Sequence, residues 1–196
     1  IFLKDDFEKL HNSLAKIDDI NKLIEPLFND KVFELNKNKF NFQNTLYELI
    51  FNKFEGQIDT GEMMDALLNK AYKSNIRIIN NVSVESYEDI GPSVKVNTNQ
   101  FTISCNKLFI ATNGFSESII QEKVVPARAQ VLITKPIKNL KVIGTFHFQQ
   151  GYYYFRNIDD RILLGGGRNL DFHIENTNQF GVTDTIQSKL EQLLTD

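Results

Sequence analysis

The spacing of apolar residues predicts a helix at the start of the chain. Positions 3, 7, 10, 14 and 17 are apolar and recur in steps of three and four, as on one face of an amphipathic helix. Asp18 and Asp19 follow and could cap a second short helix, which Pro26 is expected to interrupt. Residues 31–35 (KVFEL) predict a short strand, whereas residues 46–54 (LYELIFNKF) fit either a helix or a strand.

A helix with clear end signals follows at residues 58–75. Asp59 is a favourable N-cap, and Glu62, three residues later, is placed to complete a capping box. Asn75 can adopt the left-handed conformation that ends a helix. The apolar residues of this stretch share one face: Met63, Met64, Leu67, Leu68, Ala71 and Tyr72.

Strand-forming stretches dominate after this helix. Residues 76–79 (IRII) predict a buried strand, and residues 107–114 (KLFIATNG) predict a strand that runs into a turn of small residues. Between them, residues 82–88, 93–98 and 101–105 predict a meander of three short antiparallel strands.

The last third of the chain predicts a second antiparallel sheet and a final helix. Its four strands are expected at residues 127–134, 144–148, 152–156 and 161–165. The helix is expected to begin at Thr183 or Asp184, since apolar residues then recur on one side. Helices beside antiparallel strands predict a mixed fold, between the α+β and α/β classes.

Composition narrows the function classes. The 196 residues suit one large domain or two interleaved small ones. A net charge of −3 does not indicate the basic surface that nucleic-acid binding needs. The single Cys105 excludes a disulfide framework and a cysteine-based zinc site, which favours a cytoplasmic protein. The three histidines lack metal-ligand spacing, and no apolar run is long enough for a membrane span.

The stretch DDRILLGGGRN, residues 160–170, invites comparison with phosphate-binding loops. A dinucleotide-binding fingerprint needs GxGxxG between a strand and a helix. Gly165 and Gly167 supply the first two glycines, but Leu170 stands where the third belongs, and the next residues do not begin a helix. The stretch therefore predicts a hairpin strand that ends in glycines.

The strand before these glycines carries the candidate chemistry. In a strand, Tyr152 and Tyr154 point to one face, and Tyr153 and Phe155 point to the other. The first pair offers phenol hydroxyls to a polar ligand, and the guanidinium of Arg168 suits a carboxylate. The alternative is a packed aromatic sheet with a solvated arginine.

The order of these motifs resembles the flavin-dependent D-amino-acid oxidase superfamily, in particular its glycine oxidase and sarcosine oxidase-like branch. The resemblance covers residues 55 to about 170. It is carried by EGQIDTGEMMDALLNKA, NIRIINNVSVESYE, KLFIATNGFS, PARAQV and GYYYFR followed by RILLGGGRN.

This resemblance implies an antiparallel-sheet substrate domain interleaved with part of a Rossmann-like FAD-binding domain. Residues 1–55 and 117–196 are then the two parts of the substrate domain, and residues 56–116 are a later segment of the FAD-binding domain. The implied cofactor is FAD, and the implied partner is a small-molecule substrate.

The resemblance also implies residue roles. Tyr152 and Tyr154 would face the flavin ring on the substrate side, with Arg168 as a further substrate candidate, and the glycines would let the chain pass close to the flavin or the substrate. The backbone of Val84 would meet the adenine. The turn that closes on the cofactor would be formed by Ala111, Thr112, Asn113 and Gly114.

The activity implied is oxidation of an amino acid, a secondary amine or a related 2-hydroxy acid. A hydride passes to the flavin, and oxygen or another acceptor takes the electrons. The alternative is a small-molecule-binding or interaction module that retains the fold without redox function.

The sequence departs from the family pattern at three points. It has no GxGxxG, it lacks the closing glycine-rich segment that the family pattern places after about residue 196, and Ala129 stands in PARAQV where relatives usually carry glycine. We therefore interpret the chain as an internal fragment of the enzyme, inactive by itself.

The purified chain should bind FAD weakly or not at all, because the diphosphate has no glycine-rich helix N-terminus to sit on. Absorbance of the purified protein checks this. A yellow protein with a stoichiometric flavin spectrum would contradict the fragment interpretation.

Overall fold

The computed structural model describes residues 1–120 and 122–195. The chain folds into two compact units, each built from separate stretches. The first contains Ile1–Gln57, Ala129–Glu175 and Phe180–Asp196, and the second contains Ile58–Arg128 and Asn176–Gln179. Helices and antiparallel sheets make up both units, which confirms the mixed fold.

The first unit begins with a 3₁₀ turn and one long helix, α1 (Phe7–Phe28). The second short helix that Asp18 or Asp19 could cap does not form, because α1 continues through both residues to Phe28. Pro26 lies within the last turn, and the helix ends two residues later. Asn29 then adopts a left-handed conformation and donates its N–H to Glu25 O at 2.7 Å.

A two-stranded antiparallel ribbon follows α1. Strand β1 (Phe33–Lys37) pairs with strand β2 (Glu48–Asn52), so the ambiguous stretch around residue 50 is a strand. The buried side chain of Asn21 joins helix and ribbon, because it accepts from the N–H of Phe33 at 2.8 Å and donates to the same residue's carbonyl at 2.7 Å.

The second unit holds helix α2 (Thr60–Lys73) and the expected meander of β3 (Val84–Asp89), β4 (Val94–Thr98) and β5 (Thr102–Cys105). Both helix-end signals are confirmed. The carboxylate of Asp59 accepts from Glu62 N–H at 3.0 Å, and Asn75 has a φ of 58°.

Two expected strands of the second unit do not form. Residues 76–79 and 107–112 are outside the regular strands, and Ile76, Ile79 and Phe109 are exposed. Neither stretch pairs with a strand of the described sheets, so its backbone lacks the ladder hydrogen bonds that define a strand. The apolar face of α2 is not covered by the described residues, since no α2 residue is buried.

The rest of the first unit is a four-stranded sheet backed by a helix. Its strands are β6 (Val131–Ile133), β7 (Thr145–Phe148), β8 (Tyr153–Ile158) and β9 (Arg161–Gly166), and helix α3 spans Asp184–Thr195. The spatial order is β6-β9-β8-β7, with every pair antiparallel. All four strands and the helix were expected from the sequence.

The core of the first unit lies between α3 and one face of this sheet, called the inner face. Ile186 and Leu190 of α3 are buried there. Their partners on the sheet are Phe148, Tyr153, Ile162 and Leu164. Because side chains alternate along a strand, the neighbours of these residues point to the opposite, outer face.

Leu190→Ala should lower the free energy of unfolding by about 2–5 kcal/mol, because it leaves a cavity under the sheet. Leu190 is 0% exposed, whereas Leu194 on the same helix is 42% exposed. Leu194→Ala is therefore the control and should cost about 0.5 kcal/mol or less. Urea unfolding followed by tyrosine fluorescence measures both, and equal losses would contradict this assignment of the core.

Candidate functional site

The outer face of the four-stranded sheet is the first part of the candidate site. Strand register places its side chains in two rows across the strands. One row runs Val131, Gly165, Tyr154 and His147, and the other runs Ile133, Leu163, Arg156 and Thr145.

Tyr154 lies at the centre of this face over a glycine. A Cβ added to Gly165 would come within 2.6 Å of Tyr154 Cζ and Oη and within 2.8 Å of Val131 Cγ1. The tyrosine ring therefore rests on bare backbone, and its side chain is 40% exposed. This absence of a side chain fixes the height and position of the phenol on the sheet.

The other two glycines also serve the packing of the tyrosine hairpin. Gly166 has a φ of 122°, and an added Cβ would lie 2.0 Å from the carbonyl oxygen of Tyr152. Gly167 has a φ of 79° and donates its N–H to the same oxygen at 3.0 Å. The backbone approach that these glycines permit in this structure is an approach to the tyrosine segment.

Gly165→Ala should lower the free energy of unfolding by about 1–3 kcal/mol and displace the Tyr154 ring, because the added methyl group overpacks the contact. Gly56→Ala is the matched control, since a Cβ there meets nothing within 4 Å. Denaturant unfolding measures the cost. If both substitutions are neutral, Gly165 is not required beneath the ring.

Three of the four aromatic residues at positions 152–155 follow the expected alternation, and Tyr152 does not. Tyr153 and Phe155 face the core and Tyr154 faces outward, as predicted. Tyr152, however, precedes the strand and has φ −64° and ψ −24°, so strand alternation does not place it beside Tyr154. Burial raises the pKa of the Tyr153 phenol above its usual value, so this group stays neutral near pH 7.

Arg168 and Tyr152 both lie against Phe172, a residue that the sequence analysis did not select. The guanidinium of Arg168 lies 5.0 Å from the ring centre of Phe172, and the ring centre of Tyr152 lies 6.4 Å from it. The cation–π contact orients the planar guanidinium. The only hint in the sequence was an aromatic residue four positions after the arginine, in a stretch with neither helical nor strand periodicity.

A buried polar cluster anchors the segment that carries Phe172. Glu175 is 1% exposed, and its carboxylate accepts from Gln130 Nε2 at 2.9 Å and from the hydroxyl of Thr183 at 3.0 Å. The amide oxygen of Gln130 accepts in turn from the side chain of Gln187 at 3.1 Å. The sequence analysis missed this cluster, because its members are far apart along the chain.

Gln130→Leu should lower the free energy of unfolding by about 1–3 kcal/mol, because it leaves the buried Glu175 carboxylate without one of its donors. Gln192→Leu on the exposed side of α3 is the control and should change stability by about 0.5 kcal/mol or less. Denaturant titrations of both variants give the comparison. Equal stability would show that the cluster is not structural.

The candidate cofactor residues lie in the second unit. Val84 begins β3, pairs with Thr98 and is 42% exposed. In the turn at residues 111–114, the hydroxyl oxygen of Thr112 is buried and has no hydrogen-bond partner among the described residues. Asn113 has a φ of 50°, and an added Cβ at Gly114 would lie 3.1 Å from Pro126.

The two groups of predicted residues therefore fall in different units. Tyr152, Tyr154 and Arg168 belong to the first unit, and Val84 and the turn at residues 111–114 belong to the second. Within the first unit, Tyr152 and Arg168 share Phe172, while Tyr154 lies over Gly165.

A family model described as FAD dependent oxidoreductase matches residues 6–196. The chain belongs to this family. The match spans nearly the whole chain and confirms the superfamily that the order of motifs indicated. No curated protein sequence matches the chain.

Membership of an FAD-dependent family makes FAD the cofactor to test against the residues. The buried, unpartnered hydroxyl of Thr112 fits a ligand that accepts a hydrogen bond, and it lies in the turn that the resemblance assigned to the cofactor. In the part of the chain described, no helix is long and apolar enough to cross a membrane. Residues 1–120 and 122–195 also contain no cluster of three or more aspartate, glutamate, histidine or cysteine side chains that could hold a metal ion.

Proposed function

We propose that this chain is part of an FAD-dependent oxidoreductase of the glycine oxidase and sarcosine oxidase-like branch, located in the cytoplasm. Its substrate is an amino acid, a secondary amine or a related 2-hydroxy acid. The observation that carries the proposal is the exposed Tyr154 phenol held on Gly165, in a unit that also holds the paired Arg168 and Phe172.

The substrate residues have distinct roles in this proposal. Arg168 binds the substrate carboxylate, because a guanidinium matches the two carboxylate oxygens and Phe172 limits its orientation. The phenols of Tyr154 and Tyr152 donate hydrogen bonds to polar atoms of the substrate. The rigid backbone beneath Tyr154 keeps one of these donors at a fixed height on the sheet.

The cofactor residues hold FAD from the second unit. The hydroxyl of Thr112 donates a hydrogen bond, and the backbone of Val84 meets the adenine. The turn formed with Ala111, Asn113 and Gly114 closes on the cofactor. FAD held by these residues would supply the acceptor for a hydride from the substrate carbon, and the protein would position that carbon and exclude competing reactions.

Exposed apolar surface in the second unit supports its role as a segment of a Rossmann-like domain. The apolar face of α2 carries Leu67 at 51% exposure, and the stretches at residues 76–79 and 107–112, which pair with no strand among the described residues, carry exposed apolar side chains. A parallel sheet would bury all three elements. We propose that the chain alone is inactive because that sheet is incomplete.

The decisive experiment screens amino acids, N-methyl amino acids and 2-hydroxy acids with the full-length protein under anaerobic conditions. Bleaching of the flavin absorbance near the visible maximum reports reduction by a substrate. A full-length protein that binds FAD but is reduced by none of these classes would exclude the proposed substrate range.

Arg168→Ala should raise KM for a carboxylate substrate by roughly 10–100-fold, because a charge-assisted hydrogen bond to a carboxylate is lost. Tyr154→Phe and Tyr152→Phe should raise KM less, since each removes one neutral donor. Tyr47→Phe is the control, because Tyr47 is 57% exposed and belongs to neither group of candidates. Unchanged KM in all three site variants would remove these residues from the site.

A further inference from the structure

The side chain of His147 lies beside Tyr154 on the outer face of the four-stranded sheet. Strand register places the two residues opposite each other, His147 on β7 and Tyr154 on β8. His147 is exposed and Tyr154 is 40% exposed, so a ligand on this face can reach both rings.

The hydrogen bonds of β9 show which residues of the hairpin bond to which neighbouring strand. The carbonyl oxygen of Ile162 accepts from the N–H of Thr134, directly after β6, at 2.9 Å. The N–H of Gly166 points to the same side, because it donates to Gln130 O at 3.2 Å. Backbone groups alternate along a strand, so the odd-numbered residues of β9, which include Gly165, bond to β8.

Tyr154 and His147 consequently form the closer kind of cross-strand pair. Tyr154 is opposite Gly165 and directs its N–H and C=O to β9, away from β7. The pair with His147 is therefore a non-hydrogen-bonded one, in which the Cα atoms are about 4.5 Å apart. With Cβ atoms about 4.5–5.5 Å apart, the phenol and the imidazole can contact neighbouring atoms of one ligand.

His147 differs chemically from the other side chains of the two outer-face rows. Apart from His147, these rows contain aliphatic side chains, a glycine, two hydroxyl groups and the guanidinium of Arg156. A guanidinium has no acceptor site, and a hydroxyl group is too weakly basic to hold a proton in water. An imidazole has an acceptor nitrogen and is the side chain that ordinarily gains and loses a proton near neutral pH.

An amine substrate needs such a group before it can be oxidised. Aliphatic amines, like the side chain of lysine, carry a proton near pH 7. The carbon beside the nitrogen can release a hydride only when the nitrogen lone pair is free to form a C=N double bond. One proton must therefore leave the nitrogen first, and a base within hydrogen-bonding distance must accept it.

We propose that His147 accepts this proton, in contact with the substrate nitrogen and next to the phenol of Tyr154. The N–H bond of the ammonium group breaks, its electron pair stays on nitrogen, and the proton bonds to the free nitrogen of the imidazole. The nitrogen lone pair then forms the C=N bond as the hydride leaves for the flavin. Because His147 is exposed, the proton afterwards passes to solvent. This role rests on the proposed function and applies to its amine substrates.

Nuclear Overhauser effects in the purified chain test the pair without a cofactor or a substrate. Ring protons of His147 and Tyr154 should give cross-peaks, because their Cβ atoms are about 4.5–5.5 Å apart in such a pair. His147→Gln and Tyr154→Phe identify the two sets of signals. A spectrum in which neither ring gives a cross-peak to the other overturns the proposal.

Anaerobic stopped-flow reduction of the full-length protein by an amine substrate tests the role. His147→Gln keeps a hydrogen-bonding side chain that cannot take up a proton, so the rate constant of flavin reduction should fall about 10²–10⁴-fold. The dissociation constant of the substrate should change by about threefold or less, since the loss falls on the chemical step. His11→Gln is the matched control and should leave both constants unchanged, because His11 is exposed on α1.

Chemical rescue gives a readout that a merely structural role would not change. Added imidazole should raise the rate constant of His147→Ala about tenfold or more, because a base in solution can enter the space and accept the proton. The same addition should leave the protein with His147 unaffected. A variant that is slow but not rescued would assign His147 a structural role.

The two measurements separate failure of this role from failure of the proposed function. Cross-peaks without reduction by any amine would refute the amine substrates and, with them, the role of His147. Reduction by amines at an unchanged rate in His147→Gln would overturn the role of His147 alone. A loss of rate that follows His173→Gln instead would assign the proton to the segment that carries Phe172.

Discussion

The register between β8 and β9 is the constraint on which the first unit depends. A two-residue connection, Asp159 and Asp160, links Ile158 to Arg161, and Asp159 takes a φ of 49°. This register places Leu164 opposite Phe155 on the inner face and Gly165 opposite Tyr154 on the outer face. A slip of one residue would reverse every side chain of a strand between core and surface. The core and the candidate substrate site are thus fixed by the same hydrogen bonds.

The candidate substrate residues are held in two ways: by bare backbone of the sheet beneath one ring, and by residues that lie outside the sheet. Gly165 sets the position of the Tyr154 ring, while the buried Glu175 holds the segment that carries Phe172. Because Phe172 contacts Arg168, the orientation of this guanidinium depends on the polar cluster as well as on the hairpin. Buried polar groups of this kind stabilise a single arrangement only when their hydrogen bonds are complete.

In the second unit, the elements that depend on local sequence form, whereas two stretches that would need distant strand partners do not. Helix α2 forms with its Asp59 cap although none of its residues is buried. Its meander forms because three consecutive strands can pair with one another through short turns. The stretches at residues 76–79 and 107–112 have sequences as apolar as those strands, yet neither stretch pairs with a strand among the described residues. Apolar content alone therefore does not make a strand.

The sequence by itself determined the features that depend on near neighbours. These include the caps at Asp59 and Asn75, the meander, the four strands of the larger sheet and the periodic face of α3, because each is set by local conformation or side-chain spacing. The order of motifs also pointed correctly to the FAD-dependent oxidoreductase family.

Only the tertiary structure decided the features that depend on distant contacts. It continued α1 through Asp19, placed Tyr152 outside the strand, and brought Phe172 to Arg168. It also assembled Gln130 and Glu175, 45 residues apart in sequence, into one buried cluster. The spacing of residues along the chain indicates which face of a helix or strand a side chain occupies. Which residue it contacts on that face depends on how distant segments pack together, and the spacing within one segment carries no information about that packing.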